Sequence, residues 1–270
     1  MFNLTYEKKT PDVVPVTAAE ITDTLLGMRD EAQRANLMRF FKTGKGEYGE
    51  GDQFLGLKVP QTRMVVRAAK LMVPFAEISK LLESEWHEVR LCGFLLLVEE
   101  MKSALPKGGR DSAERAARRQ EIVDFYLKHA HRANNWDLVD LSCPYILGTW
   151  LLYPLPGGTL PSAEVLHHLA GSPDLWEQRI SVVSTLGLVR GGRYEESMLM
   201  AEKLLGHSHD LIHKAVGWVL REVGKRDIEL LREFLEKHAA TMPRTSLRYA
   251  IERMDHMERM KWMERKHLLR

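Results

Sequence analysis

Apolar residues recur at helical spacing along most of the chain. Segments such as EITDTLLGMRDEAQRANLMRFF and EVRLCGFLLLVEEM place apolar side chains three and four residues apart, which is the spacing of one face of an α-helix. The sequence lacks the alternating apolar and polar runs, bounded by hairpin turns, that indicate β-strands. The pattern therefore predicts an all-α protein whose helices begin near Thr17 and continue to the C-terminus.

Clusters of glycine and proline separate the periodic segments, and the remaining connections are short. These clusters lie at residues 44–56, 105–111, 154–161 and 191–192. Capping residues indicate helix starts after Ser172-Pro173-Asp174, at His207-Ser208-His209-Asp210 and at Met242-Pro243. We predict an N-terminal extension over residues 1–16 and a single helical domain over residues 17–270.

The second helices of successive helix pairs align with one another. The aligned segments are SEWHEVRLCGF, NNWDLVDLSCP, DLWEQRISVVS and HDLIHKAVGWV, and their shared position holds Arg90, Asp140, Arg179 and Lys214. By subtraction the spacings are 50, 39 and 35 residues, which predicts a solenoid of HEAT-like or armadillo-type helical repeats with insertions. Equivalent positions of a solenoid line one surface, so we expect the basic members to form a stripe on the concave face that binds phosphates.

Four tryptophans keep the same register. Trp86 and Trp136 lie four residues before the aligned position, Trp176 lies three before it, and Trp218 lies four after Lys214. Helical spacing places each indole on the face of the aligned residue. We interpret Trp86 and Trp176 as packing between repeats, whereas the surroundings of Trp136 and Trp218 decide between packing and a functional role.

Composition and charge narrow the class of protein. A hydrophobic fraction of 44% with 28% charged residues is that of a globular protein and not of a disordered chain. The net charge of +2 is too small to indicate a nucleic-acid binder by itself, so an anionic partner has to be met by a local patch. Without an apolar run for secretion or membrane insertion, we expect a cytoplasmic protein with no membrane contact. Cys92 and Cys143 lie in apolar helical patterns and are expected to be buried free thiols.

Asp140 is the acidic exception in the basic register, and two explanations fit it. As a structural residue, it would be an N-cap or the acidic partner of Arg179 in a buried salt bridge. As a functional residue, it would be a carboxylate held against a cation that forms during a reaction. The pattern alone leaves both open.

Several segments resemble the AlkD family of DNA alkylation repair glycosylases. They are FLGLKVPQTRMVVR, NNWDLVDLSC, LWEQRISVVSTL, HDLIHKAVGWVLREVGK and MPRTSLRYAIER, and the similarity runs from about residue 31 to residue 253. The resemblance implies a HEAT-like solenoid that removes cationic N3- and N7-alkylated purines from DNA without a metal or cofactor. Some relatives have lost the catalytic aspartate and bind DNA without excising bases, so the retained Asp140 favours an active enzyme.

Carried over by this resemblance, Asp140 is the catalytic aspartate, Trp136 and Trp218 are the active-site tryptophans, and Arg179 contacts a phosphate. For other basic residues near second-helix or C-terminal repeat positions, a phosphate contact and a solvated surface position stay equally open. These residues are Arg90, Lys214, Arg221, Lys225, Arg244 and Arg248. Lys45 and Tyr48 in the glycine-rich segment GKGEYGEGDQFLG are further candidates for backbone contact, because this region approaches DNA in the family.

The leading hypothesis is a monomeric, monofunctional DNA glycosylase that acts in base excision repair on double-stranded DNA containing N3-methyladenine or N7-methylguanine. The alternatives are a non-catalytic solenoid that binds DNA structures and a protein-interaction scaffold. A Schiff-base lyase reaction would use Lys214 as the nucleophile. His207, His209 and His213 are expected to be surface residues and not metal ligands, and the charged C-terminal tail is expected to cap the last repeat.

Overall fold

The structure is a computed structural model that describes residues 16–265. Every regular element named within these residues is a helix. A short 3₁₀ helix covers Ala130–Arg132. The α-helices are α1 (Ala18–Gly27), α2 (Glu31–Phe40), α3 (Val59–Ala69), α4 (Phe75–Leu82), α5 (His87–Ser103), α6 (Ala113–Lys128), α7 (Trp136–Asp140), α8 (Leu147–Trp150), α9 (Glu164–Ala170), α10 (Leu175–Arg190), α11 (Glu195–Leu204), α12 (Asp210–Gly224), α13 (Ile228–His238), α14 (Arg244–Ala250) and α15 (His256–Glu264). The predicted all-α fold is confirmed, while all but the last residue of the predicted extension 1–16 lies outside the described residues.

Capping side chains start the helices where the sequence indicated. Asp174 accepts hydrogen bonds from the backbone N–H groups of Trp176 and Glu177 at the start of α10. His209 caps α12, and Pro243 immediately precedes α14. The contacts of Asp174 and His209 satisfy N–H groups that have no partner inside a helix, and all three helices begin where the sequence indicated.

The helices pack in stacked pairs around a continuous apolar core. α3 and α4 pack on α5, α9 on α10, and α11, α13 and α14 on α12, while contacts between successive helices join α5, α7, α10 and α12. α5 and α10 are apolar on nearly all sides and are accordingly buried along most of their length. Most of the buried apolar residues form one cluster that extends from Ala18 to Trp262.

Two segments with helical periodicity do not form single continuous helices. The first apolar segment breaks between α1 and α2, where Asp30 accepts a hydrogen bond from the backbone N–H of Gln33 and begins a new helix. The segment NNWDLVDLSCP forms only the five-residue helix α7, which ends at Asp140. Pro144 has no N–H to donate to the Asp140 carbonyl, so the helix cannot continue through it. The chain turns over residues 141–146 before α8.

Two glycines bring α8 against α10. A Cβ atom at Gly148 would lie 2.1 Å from the Ser184 carbonyl oxygen, and one at Gly187 would lie 2.6 Å from the Pro144 carbonyl oxygen. Only glycine fits such a close backbone approach. The crossing holds the α7–α8 segment against α10, which carries Arg179.

A buried arginine joins the two inserted segments, around residues 105–119 and 154–161. Arg119 is fully buried and donates hydrogen bonds to both carboxylate oxygens of Asp111, at 2.9 and 2.6 Å. It also donates to the backbone carbonyls of Ala104 and Pro154, at 3.0 and 2.9 Å. The insertions therefore stabilise each other through one guanidinium group.

The C-terminal helix α15 covers the end of the helix stack. Trp262 is 1% exposed, and Glu258 accepts hydrogen bonds from Arg232 on α13. Among residues 16–265, the helices are all too short or too polar to cross a membrane.

Candidate active-site cleft

An open cleft of about 1070 Å³ lies between the N-terminal and C-terminal helices. Its walls come from α2 and the loop that follows it, from α7, and from α10, α12 and α14. The lining residues are Asn36, Arg39, Phe40, Lys42, Tyr48, Trp136, Asp140, Arg179, His209, Asp210, Leu211, Lys214, Trp218, Arg221 and Tyr249. The cleft therefore brings together Asp140, Trp136, Trp218 and Arg179, which the sequence places up to 82 residues apart.

Asp140 is held by Arg179 in a two-point ion pair. Arg179 Nε donates to one Asp140 carboxylate oxygen at 2.9 Å and an Nη donates to the other at 2.8 Å. The second Nη of Arg179 donates to the Leu211 carbonyl at 2.5 Å. The buried salt bridge proposed as the structural explanation of Asp140 is present, and it lies in the wall of the cleft.

The surroundings of the Asp140 carboxyl shift its pKa in opposite directions. Its side chain is only 14% exposed, and this burial raises the pKa of the carboxyl above its ordinary value while Arg179 partly offsets the increase. Asp137, on the same short helix, adds to the increase. The two hydrogen bonds from Arg179 suit the ionised carboxylate.

Trp136 belongs to an aromatic cluster at the cleft wall. It stacks on Phe41 with ring centroids 5.1 Å apart and an angle of 19° between the planes. Phe40 meets it edge-on at 5.9 Å and is itself 62% exposed. Trp218 lies on α12, one turn after Lys214, and is half-buried. The cleft thus presents aromatic surface next to a carboxylate.

Basic side chains outnumber acidic ones in the cleft lining. Of the described residues that line it, five are lysine or arginine and two are aspartate. Arg179 is committed to Asp140, and Lys214 pairs with Asp210 at 2.9 Å. Arg221 pairs with Glu252. Arg39 and Lys42 are exposed, with Lys42 lying 3.8 Å from a Glu47 carboxylate oxygen, so the α2 side of the cleft presents the most accessible cations.

The predicted basic stripe is wrong at Arg90. This side chain is 3% exposed and donates hydrogen bonds to Asp52, to Asn134 and to the carbonyls of Ser84 and Glu85. Its register position faces the buried contact between the glycine-rich segment and α5, so it reaches no surface phosphate. Of the three basic register residues, Lys214 alone has a substantially exposed side chain, at 41%.

The remaining predicted DNA contacts fall into two groups. Tyr48 and Arg221 line the cleft, while Lys45, Lys225, Arg244 and Arg248 lie outside its lining. Tyr48 reaches across the cleft, since its ring lies edge-on to Trp176 at 6.0 Å and to His209 at 6.4 Å. Arg244 donates to the Met263 carbonyl and so helps to hold α15.

The register alignment missed the contribution of α2. Arg39, Phe40 and Lys42 line the cleft although their segment was not part of the aligned repeats. α2 buries none of its ten residues, and its C-terminal end carries basic residues around an exposed aromatic ring. The sequence feature that could have indicated this contribution is a polar helical segment followed by the basic and aromatic residues RFFK at positions 39–42. Tyr249 on α14 was missed as well.

The two predicted packing tryptophans and the histidine group have structural contacts. Trp176 is buried, and Trp86 is partly buried beneath the guanidinium groups of Arg29 and Arg34, at 6.0 and 5.9 Å.

His207 forms a hydrogen bond with Gln178, and His213 forms one with the His207 carbonyl. Over residues 16–265, no three histidine, cysteine or acidic side chains converge in a metal-binding arrangement. Cys92 and Cys143 are buried free thiols, as predicted.

The fold and cleft define an all-helical repeat protein with a carboxylate between aromatic walls and a partly basic rim. The chain matches the family model described as DNA alkylation repair enzyme over residues 21–254, most of its length. It belongs to this family of DNA alkylation repair enzymes, as the sequence resemblance indicated.

A solved structure supports the fold assignment. It is described as a predicted DNA alkylation repair enzyme from Enterococcus faecalis and is 14% identical in sequence, with a TM-score of 0.59. The likeness covers 84% of this chain and 97% of that one. No curated protein sequence matches the chain significantly.

Proposed function

We propose that the protein is a monofunctional DNA glycosylase that hydrolyses the N-glycosidic bond of cationic alkylated purines, such as N3-methyladenine and N7-methylguanine, in duplex DNA. The observation that carries this proposal is the Asp140 carboxylate, held by Arg179 in the wall of a cleft that Trp136 and Trp218 also line. Membership of a DNA alkylation repair family points to DNA as the substrate.

Asp140 would stabilise the positive charge that develops on the deoxyribose as the glycosidic bond stretches. At about 4 Å and an effective dielectric constant near 20, two unit charges attract by roughly 4 kcal/mol. Arg179 weakens the attraction between Asp140 and the sugar, because its positive charge already neutralises the carboxylate. Only the part gained in the transition state accelerates the reaction, at about tenfold for each ~1.4 kcal/mol. Asp140 would also orient the water molecule that attacks the sugar, or accept its proton.

The site suits bases that already carry positive charge. A neutral purine needs a proton donor before it leaves, and Asp140 is arranged as an ionised acceptor of two hydrogen bonds. Burial lowers the pKa of His209, so this residue of the cleft lining is mostly neutral at pH 7. An alkylated purine needs no protonation, and indole faces attract cations by up to about 2 kcal/mol where water is excluded.

Hydrolysis is favoured over lyase chemistry by the state of Lys214. A nucleophilic amine has to lose its proton, but the hydrogen bond from Lys214 to Asp210 raises the pKa of this ammonium group. The amine is therefore held protonated at neutral pH. We expect base release to leave an intact abasic site.

The test is an assay of bases released from methylated duplex DNA by the purified protein. We expect the wild-type protein to release methylated purines, and Asp140→Asn to bind the same DNA and release none above the uncatalysed rate. Binding without release by the wild-type protein would instead support a non-catalytic DNA-binding role. Release that persists undiminished in Asp140→Asn would remove this carboxylate from the reaction.

A further inference from the structure

Four aromatic rings stack in a row behind the cleft wall. Trp136 stacks on Phe41 at 5.1 Å, Phe41 on Phe54 at 5.0 Å, and Phe54 on the imidazole of His87 at 4.2 Å, with the ring planes within 22° of parallel at each step. The row joins α7, the end of α2, the glycine-rich segment and the start of α5. It connects the cleft surface to a histidine that is 1% exposed.

His87 bridges two buried carboxylates. Its Nδ1 lies 2.8 Å from an Asp52 oxygen and its Nε2 lies 2.9 Å from an Asp137 oxygen. An ionised carboxylate only accepts hydrogen bonds, so both ring nitrogens have to donate and the ring has to be an imidazolium. Burial by itself lowers the pKa of His87, but the Asp137 and Asp52 carboxylates outweigh it and raise the pKa to about 9.

Asp137 places this bridge directly behind the candidate catalytic residues. It follows Trp136 and precedes Asp140 by three residues on α7, which has only five residues and ends at Asp140. So short a helix has little stability of its own and depends on tertiary contacts. Asp137 and Asp140 are one turn apart, so their negative charges act on each other, and Asp137 raises the pKa of the Asp140 carboxyl.

We propose that His87 is a positioning residue for the reaction at Asp140: it ties α7 to the N-terminal segment through Asp137, and its positive charge offsets the negative charge that Asp137 places next to Asp140. This inference rests on the proposed function. His87 lies outside the lining of the cleft, in the wall of a neighbouring cavity of about 380 Å³ that Trp136 and Asp140 also line. It acts through Asp137 and the ring stack.

The charges around the two groups define what His87 contributes. His87 faces Asp52 from the glycine-rich segment and Asp137 from α7, and Arg90 on its own helix pairs with Asp52. Asp140 faces Arg179 from α10 and Asp137 from its own helix. Glu88 and Lys58 line the neighbouring cavity together with His87 and Asp140, and Tyr126 and Cys143 lie behind Asp140. The other charged and titratable residues of the surrounding cleft are Arg39 from α2, Lys42 and Tyr48 from the loop, His209, Asp210, Lys214 and Arg221 at α12, and Tyr249 from α14. Arg90 pairs with Asp52 and Arg179 pairs with Asp140, whereas the cation that pairs with Asp137 is His87.

The decisive variant is His87→Gln, which keeps one hydrogen-bond donor and removes the charge. Base release is measured against pH under single-turnover conditions, with DNA affinity measured separately. We expect the acid limb of the rate profile to move up by about one pH unit, since an uncompensated neighbouring carboxylate disfavours ionisation of Asp140. DNA affinity should change less than twofold, because the rim of the cleft is untouched.

A second substitution separates charge from simple loss of packing. Adding Asp137→Asn to His87→Gln removes the uncompensated carboxylate, so the acid limb should return toward the wild-type position while the stability to unfolding stays reduced. Arg119→Gln is the matched control, because it removes a different buried cation and should lower stability without moving the acid limb. An acid limb that stays in place in His87→Gln, or fails to return in the double variant, overturns the inference.

A measurement without activity distinguishes this inference from the proposed function. In ¹⁵N NMR of the wild-type protein at pH 7.5, both ring nitrogens of His87 should be protonated, and His87→Gln should shift the indole N–H signal of Trp136. A neutral His87 ring, or an unmoved Trp136 signal, overturns the positioning role. If these signals behave as expected but the wild-type protein releases no base, the proposed glycosylase function fails and the structural link from His87 to Trp136 stands.

Discussion

Asp140 and Arg179, 39 residues apart in sequence, form a two-point ion pair in the wall of the cleft. The resemblance to the family implied that Arg179 contacts a DNA phosphate, whereas the structure commits its Nε and one Nη to Asp140 and the other Nη to the Leu211 carbonyl. A phosphate contact by Arg179 would have to share these donors. The most direct role of Arg179 in this structure is to hold Asp140 in place.

Breaking this pair from the arginine side should be costly. Arg179→Gln leaves a buried carboxylate without its cation, and removal of one partner of a buried ion pair typically costs about 3–5 kcal/mol. Urea unfolding at pH 7 measures the loss. The double variant Arg179→Gln with Asp140→Asn should recover part of it, because the uncompensated charge is gone. A loss below about 1 kcal/mol in the single variant would show that the pair contributes little.

The accessible cations of the α2 side should set the salt dependence of DNA binding. Lys42 lines the cleft, whereas Lys45 lies three residues away outside its lining. Each phosphate neutralised in duplex DNA contributes about 0.9 to the slope of log affinity against log salt. Lys42→Gln should reduce the slope by about that amount, as measured by fluorescence anisotropy between low and moderate salt.

Lys45→Gln is the matched control for this prediction. It removes the same charge from the same loop and should leave the slope unchanged. Equal effects of the two substitutions would mean that the DNA does not enter the cleft along α2.

The sequence led to the fold and to the candidate site residues for different reasons. Helical periodicity and capping residues are local signals, so the helices were predictable. The family resemblance singled out Trp136, Asp140 and Trp218, which the structure places in the lining of one cleft. The basic stripe failed because register position does not determine exposure: Arg90 shares its register with Lys214, but the glycine-rich segment covers it. Asp52 in this segment pairs with Arg90, which lies 38 residues later in the sequence. A contact between such distant residues produces no periodic pattern from which it could be predicted.

The contribution of α2 was hidden for a related reason. The chain breaks at Asp30 and begins α2, whose last turn and following loop line the cleft together with residues of α7, α10 and α12, so Arg39 and Lys42 lie at the site. His87 was likewise missed, since a single histidine in an apolar helix gives no sign that two distant aspartates converge on it.

Stability should fall at alkaline pH because of His87. Its pKa of about 9 in the folded protein lies above the ordinary value of 6.5, so the stabilisation is fully present below about pH 6.5 and is lost as the pH rises through about 9. The linkage amounts to about 3 kcal/mol at most. Urea unfolding at pH 6.5 and at pH 9.5 should show this fall in the wild-type protein and a much smaller one in His87→Gln. A wild-type stability that is flat across this range would argue against a buried imidazolium.

Lys214 should take no covalent part in base release. Its ammonium group is held protonated by Asp210, so incubation with methylated DNA and borohydride should trap no covalent protein–DNA complex. Lys214→Gln should weaken DNA binding and still release base at saturating protein concentration. A borohydride-trapped complex in the wild-type protein that disappears in Lys214→Gln would assign a lyase step to this residue.

The central claim is that the Asp140 carboxylate, and not merely a negative charge in the cleft, drives base release. Asp210 offers the matched comparison, because it also lines the cleft and also pairs with a cation. The measurement is the single-turnover rate of methylpurine release from methylated duplex DNA, at saturating protein, for wild type, Asp140→Asn and Asp210→Asn. We expect Asp140→Asn to lose at least about a hundredfold, equivalent to about 3 kcal/mol, and Asp210→Asn to stay within about threefold of wild type. Equal rates for Asp140→Asn and wild type would contradict the account.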